Sequence, residues 1–339
     1  MAYGYVDTSQ LPQTTQPVDF QAVWRDLQEG LGLYNQSSGW LMQNLCYKSQ
    51  DAKISYAVGA MAFERATEMA EAKRQRVGWG LADVPVFKYD LGLGFTWDML
   101  QEATRGQIDS MHAAAMQADQ DNVIRQIVQK CLRAEAETII SPAGESFTYP
   151  AFCNGSGFTP PNYEGKSFAA THQHFARVAS GSLDAGIKTL RDNLGEHGHK
   201  GNLILLISDS DRATVEALTN FKLAAGGLYT PGASTDIATV NANEYIGVIH
   251  SFKVRVCTWM PQYYIFGFNA AGSNNVKNPL RWRWGAIGDG LKLIQEDESR
   301  TNPLINAFYK RWFGLGVGQR TNGGAIYVAA SGDYVTPTL

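Results

Sequence analysis

The stretch TRGQIDSMHAAAMQADQDNVIRQIVQKCLRAEAETII, residues 104–140, decides how the rest of the chain is read. Thr104-Arg105-Gly106-Gln107 has the form of a capping box. The Thr104 hydroxyl can accept from the backbone N–H at the third helical position while the Gln107 side chain reaches back. Ile108, Met111, Ala115 and Ala118, then Val123, Ile124, Ile127, Val128, Cys131 and Leu132, follow mostly at spacings of three and four, and the next proline is Pro142. That pattern predicts an amphipathic helix of about 35 residues, a rod of roughly 50 Å. It is about three times the usual helix length. No heptad is sustained, so a coiled coil is not expected. A single rod in a chain with many short strands predicts a structural spine.

Outward from the rod, residues 1–20 read as a polar arm and Ala22 to Leu33 as a short helix ended by Gly30 and Gly32. Residues 40–95 read as an extended two-stranded excursion leading into the rod. Ile54, Tyr56 and Val58 alternate with small or polar residues, as do Val84 and Val86. Phe87, Tyr89, Leu91, Leu93 and Phe95 alternate in the opposite phase, which marks a bulge or bend. A two-stranded ribbon has no core of its own, so it needs a surface to lie on. That surface is either the same chain or a neighbour, and in the second case Trp79, Phe87, Tyr89 and Leu91 are the candidate inter-subunit contacts.

Beyond the rod, Ser141 to Gly165 is loop-like, and Ser182 to Leu194 is a helix with an apolar stripe at Leu183, Ile187, Leu190 and Leu194, stopped by Gly195. Asn202 to Ile207 is a buried strand, and Arg212 to Phe221 a helix after the Ser208-Asp209-Ser210-Asp211 turn. Gly226 to Asn243 is a long exposed loop. Strands are expected within Tyr245–Met260, Tyr263–Phe268, Arg281–Trp284 and Ala325–Ala329, and a helix over Asn302–Phe313.

Composition removes several classes of function. The 339 residues are 44% hydrophobic and 18% charged with net charge −3, enough for a large core. There is no basic patch of the kind that reads nucleic-acid sequence. The start lacks the basic and apolar runs of a signal peptide, and no stretch approaches the ~18 apolar residues of a membrane span. Cys46, Cys131, Cys153 and Cys257 are far apart, without CxxC spacing, and read as reduced thiols.

Two constellations bear on chemistry. His172-Gln173-His174 and His197-Gly198-His199 are HxH pairs, and an extended HxH puts both rings on one face. With a carboxylate such as Glu196 they are candidate zinc ligands for a metal-dependent enzyme, although Gly198 argues for a turn and no HExxH or third ligand is evident nearby. Gly314-x-Gly316-x-Gly318 lacks the preceding strand and following helix of a dinucleotide site and reads as a helix stop or close backbone packing. There is no GxSxG or GxxxxGK[ST]. No metal, cofactor or catalytic residue is therefore assigned.

The order of elements resembles the major capsid proteins of tailed bacteriophages with the Hong Kong 97-type fold. The stretches that carry the likeness are Phe95-Thr96-Trp97-Asp98-Met99-Leu100 opening the rod, residues 168–175 with Glu196-His197-Gly198-His199, Ile246-Gly247-Val248 leading to residues 258–264, Asn302-Pro303-Leu304-Ile305, and residues 313–320. The resemblance implies an α+β fold with an N-terminal arm (1–39), an extended β-hairpin or E-loop (40–95), a long spine helix of the P-domain (96–140), an axial A-domain (141–300), and a return segment of the P-domain with the C-terminus (301–339). It implies a structural, non-enzymatic subunit that self-assembles as hexamers and pentamers into an icosahedral head. That head encloses double-stranded DNA without sequence-specific binding, uses separate scaffolding and portal proteins, has no membrane, and is assembled in the host cytoplasm. An encapsulin-like nanocompartment shell shares the fold and is the alternative. Lys48, Lys53 and Lys88 lie in the hairpin region, but nothing fixes a partner for an isopeptide crosslink.

Overall fold

The computed structural model describes residues 20–36, 39–51, 53–58, 78–96, 104–140, 144, 146–223, 244–295 and 304–339. The fold is mixed α+β, in two compact units. One comprises Met1–Ser38, Val86–Val123 and Trp284–Phe313; the other comprises Gly39–Pro85, Ile124–Arg283 and Gly314–Leu339.

The long helix runs Arg105–Leu132, 28 residues, or about 42 Å. Its start is the expected capping box. The Thr104 N–H donates to Gln107 Oε1 at 2.7 Å, and the Gln107 N–H reaches Thr104 Oγ1 at 3.4 Å. It stops eight residues before Ile140. There the Tyr334 hydroxyl donates to the Leu132 carbonyl at 2.7 Å and Thr336 Oγ1 accepts from the Ala134 N–H. Glu137–Ile140 then pairs as a strand with Ser146–Tyr149. Ala134, Glu135 and Ala136 favour helix, but these distant side chains take up the terminal backbone groups and end it.

The first unit holds the helix Phe20–Gln36, the strands Phe87–Thr96 and Lys292–Gln295, residues 304–313 of the strand Leu304–Val317, and the long helix as far as Val123. Leu27, Leu31, Ile108, Ala115, Leu291, Leu293 and Tyr309 form the core. The helix buries Ile108, His112, Ala115, Asp119 and Val123, whereas Met111 is only half-buried and Ala118 is exposed. Two of its core positions are thus polar, and each has a polar partner: His112 Nδ1 meets the Tyr309 hydroxyl, and Asp119 meets Arg311 and Tyr34.

Leu304–Val317 is a strand, not the helix expected over Asn302–Phe313. Tyr309, Arg311, Phe313, Leu315 and Val317 are buried at a period of two, with half-buried Phe308, Lys310 and Trp312 between them. This is the strand alternation, and apolar residues at helical spacing in the same stretch masked it. Its partner is Phe87–Thr96, antiparallel from Phe87↔Phe313 to Thr96↔Leu304. The excursion read over 40–95 is therefore narrower. Its two-stranded ladder is Lys53–Val58 against Gly78–Asp83, while Trp40–Leu45 is helical and Cys46–Ser49 pairs with Leu280–Trp284.

Burial holds the His112 imidazole below the ordinary histidine range, with the Asp109 carboxylate pulling it partly back. Both folded and unfolded chains carry it neutral at pH 7. Below about 6.5 the unfolded chain takes up a proton that the folded chain resists. Stability is therefore lost as pH falls through that range. Urea midpoints at pH 7.5 and 5.5 are expected to drop more in the wild type than in His112→Gln; equal drops would contradict this.

The second unit is built on a seven-stranded sheet in the order Phe175–Val178, Gly324–Val328, Tyr264–Asn269, Leu203–Ile207, Phe252–Val256, Glu244–Ile249, Phe221–Leu223. Leu203–Ile207 is buried at every position and sits in the middle, as a continuous apolar run requires. Leu183, Ile187, Leu190 and Leu194 of the helix Leu183–Glu196 close over one face, packing with Leu205, Ile207, Phe252 and Val254. Fully burying four such side chains contributes roughly 1.5–3 kcal/mol each. The helix after Ser208 is short, Arg212–Glu216. Ser208 caps the preceding turn, and the Asp211 carboxylate accepts from the Tyr263 N–H at 2.8 Å, holding a residue with φ 71°. Gly226–Asn243, Met61–Arg76 and the arm to residue 19 lie outside the described residues.

Candidate functional site

The two HxH pairs meet in the second unit. His172 and His174 flank Gln173, whose backbone bridges to Asn154, just before the edge strand Phe175–Val178. This local extension points both rings one way, and their Nε2 atoms lie 3.1 Å apart. The third ring comes from the end of Leu183–Glu196. Gly198 N–H donates to the Gly195 carbonyl and His199 N–H to the Leu194 carbonyl, the paired bonds of a Schellman stop. The stop is therefore Gly198, at φ +81°, three residues beyond the expected Gly195. It separates the second pair. His197 Nε2 turns to within 3.0 Å of His172 Nε2, while His199 Nε2 turns away to Thr321 Oγ1 at 2.9 Å. His172, His174 and His197 thus place their ligand nitrogens within 4.8 Å of one another. Of the four histidines in the two pairs, the structure brings together His172, His174 and His197, the last 23 residues after His174 and brought back by the helix, and leaves His199 out.

His174 is 2% exposed and its Nδ1 lies 3.0 Å from the Gly323 carbonyl. A carbonyl only accepts, so Nδ1 carries the proton and Nε2 presents a lone pair. The Phe168 ring packs at a tilt against His172 and His197, with centroids 5.1 and 4.2 Å away. His197 Nδ1 is buried without a hydrogen-bond partner among the described residues. Burial first, and the neighbouring rings second, push His174 and His197 down to about 3 and His199 to about 4; His172 is also lowered. All four rings are neutral at pH 7.

Gly198 has a second constraint: a Cβ there would come within 2.5 Å of the Tyr163 ring. Gly198→Ala is expected to cost about 1–3 kcal/mol, from the left-handed backbone and this clash. Chemical denaturation checks it, and a loss below about 0.5 kcal/mol would contradict it.

Gly314, Gly316 and Gly318 bind no dinucleotide-like turn; the first two lie in the strand Leu304–Val317. Added Cβ atoms would meet the Pro85 carbonyl at 2.1 Å, the Tyr149 ring at 2.9 Å and the Arg281 guanidinium at 2.4 Å. Close packing explains the glycines; a helix stop does not. Arg281 and Trp282 are both fully buried. Arg281 donates to the Asn278, Leu280 and Val276 carbonyls. The four cysteines are free and buried, and burial raises Cys153 to about 12 and Cys257 to about 11. Neither is a poised nucleophile.

The candidate contact residues are dispersed. Phe87 and Tyr89 are half-buried and Leu91 is 41% exposed. Tyr89 stacks on Phe313 within the chain, with centroids 4.7 Å apart. Trp79 lies in the separate Lys53–Val58/Gly78–Asp83 ladder, opposite Ala57. The strand Phe87–Thr96 thus already has a surface inside the chain, which the sequence did not reveal.

No family model and no curated protein matches the sequence. Solved structures do. A chain from Mycobacterium phage Patience aligns with TM-score 0.65 and 23% identity over 96% of this chain and 92% of that one. The asymmetric unit of the bacteriophage PhiM1 mature capsid aligns with TM-score 0.50 and 12% identity, covering 87% and 88%. The capsid of cyanophage P-SCSP1u aligns with TM-score 0.50 and 11% identity, covering 85% and 87%. The chain has the fold of phage capsid chains. Because each alignment spans most of both chains, the capsid fold belongs to the chain as a whole and not to one module of it.

Proposed function

We propose that this chain is the major capsid protein of a tailed bacteriophage, a structural subunit that assembles as hexamers and pentamers into an icosahedral head around double-stranded DNA. The observation that carries the proposal is the likeness to phage chains over nearly the full length, with TM-score 0.65 in the Mycobacterium phage case. In this reading Arg105–Leu132 is the spine helix of a Hong Kong 97-type P-domain, and Leu304–Val317 is the return segment laid beside it. The sheet around Leu203–Ile207 belongs to the A-domain, and the Lys53–Val58/Gly78–Asp83 ladder is the stem of the E-loop. Residues 1–39 act as the arm.

The mechanism is geometric. A two-stranded ribbon lacks a core, and an apolar surface left in water is stabilised by covering it at roughly 25 cal/mol per Å². A neighbouring subunit supplies that cover, with Trp79 and Leu91 as contacts. Among the described residues no helix is long and apolar enough to cross a membrane. With a net charge of −3, packaged DNA is neutralised by counterions and enclosed without sequence reading. Scaffolding and portal proteins are separate partners, and assembly takes place in the host cytoplasm.

Sedimentation of the purified chain tests the reading. It is expected to show a boundary far faster than a single 339-residue chain. A chain that stays monomeric at every concentration and salt level would overturn it.

A further inference from the structure

We propose that His172, His174 and His197 hold one divalent transition-metal ion through their Nε2 atoms, as a staple inside the subunit. Three features of the cluster support this. The first is spacing: nitrogens bound to one tetrahedral zinc at 2.0–2.1 Å lie ~3.3 Å from each other. The contacts from His172 Nε2 to His174 and His197 Nε2 are 3.1 and 3.0 Å, and all three ligand nitrogens lie within 4.8 Å of one another, so two of the three spacings are already met and the His174–His197 pair has at most about 1.5 Å to close.

The second is proton count. His174 Nδ1–H donates to the Gly323 carbonyl, so the neutral ring carries a lone pair on Nε2. A proton on His172 Nε2 can point straight at only one of the two facing nitrogens. With no proton there, His172 and His174 set two lone pairs against each other at 3.1 Å. Neutral rings cannot make both contacts full hydrogen bonds, whereas a cation at the centre makes every lone pair attractive.

The third is the surrounding shell. The Nδ1 donation to a backbone carbonyl is the bond that orients metal-bound imidazoles. His172 is half-exposed, which leaves water room to fill a fourth position. Imidazole ligands suit zinc, cobalt, nickel and copper rather than magnesium or calcium.

The ion would tie the start of the edge strand Phe175–Val178 to the end of the helix Leu183–Glu196. Those two places are separated in sequence and already touch through Asn193 Nδ2, which donates to the Gln173 carbonyl at 3.4 Å. This is a stabilising role and goes beyond the capsid reading without depending on it.

The experiment uses the full chain, purified without an affinity tag. It is equilibrated with zinc, desalted, and analysed for metal beside His172→Asn and His197→Gln, with circular dichroism as the fold control. About one zinc per chain is expected in the wild type, falling at least tenfold in each variant. Cobalt in place of zinc should give the intense visible bands of four-coordinate cobalt. Zinc at a hundredfold excess over its Kd should raise the wild-type melting midpoint by about 4 °C. Less than about 0.1 zinc per chain in the wild type, or equal zinc in wild type and folded variants, would overturn the proposal. If the variants fail to fold, the wild-type cobalt spectrum decides, and absence of the four-coordinate bands overturns it.

Discussion

Asp119→Ala is expected to destabilise the chain by about 3–5 kcal/mol, the cost of stranding a buried charge. Asp119 sits on the buried face of the long helix, and its side chain is 6% exposed. Arg311, 8% exposed, donates to Asp119 Oδ2 from the strand Leu304–Val317. The Tyr34 hydroxyl donates to the same oxygen at 2.8 Å from the helix Phe20–Gln36. Burial, and then the Asp119 charge, raise the Tyr34 phenol far above its ordinary range, so it stays a donor. One carboxylate therefore joins three elements of the first unit. Truncating it leaves the guanidinium in a site built for an ion pair, and the same low dielectric that strengthens the pair magnifies the loss. The pair as a whole need not be strongly stabilising. Asp119→Leu with Arg311→Met should recover more than half of the single-variant loss. Urea denaturation of the unassembled chain measures both. A loss below about 1 kcal/mol for Asp119→Ala would show that the site hydrates cheaply.

Replacement of residues 59–77, between the two strands of the ladder, is expected to abolish shell formation while leaving the fold intact. The ladder pairs Val58 with Gly78 at its outer end. Residues 59–77 can therefore be replaced by Asn-Gly, which closes a two-residue hairpin of the favoured twist. The buried Val84, packed near Tyr149, is left in place. The shortened chain should keep its circular dichroism and melting midpoint, because a two-stranded ribbon adds little core. On the proposed E-loop reading it should fail to form closed particles even though Trp79 and Leu91 remain, because that reading assigns residues 59–77 to the segment laid across a neighbour. Normal particles from this variant would remove the ribbon from the assembly mechanism.

What could be read from the sequence was local. Thr104 and Gln107 announced a helix start that the hydrogen bonds reproduce. Leu183, Ile187, Leu190 and Leu194 announced a buried stripe, and the apolar run at Leu203–Ile207 a central strand. What could not be read was long-range. Tyr334 and Thr336 end a helix some 200 residues earlier. The partner of Phe87–Thr96 lies beyond residue 300. His112 and Asp119 were passed over because a hydrophobic count skips polar residues, although each occupies a core position through a partner far along the chain. The site followed the same rule. The HxH spacing points to His172, His174, His197 and His199, but that His197 joins the first pair while His199 leaves it depends on the turn at Gly198.

Negative-stain electron microscopy of the purified chain, expressed alone and with any scaffolding protein supplied, tests the central claim most directly. Closed icosahedral particles, or hexameric and pentameric rings that close into them, are the expected result. Discrete small oligomers of fixed size under both conditions would contradict it.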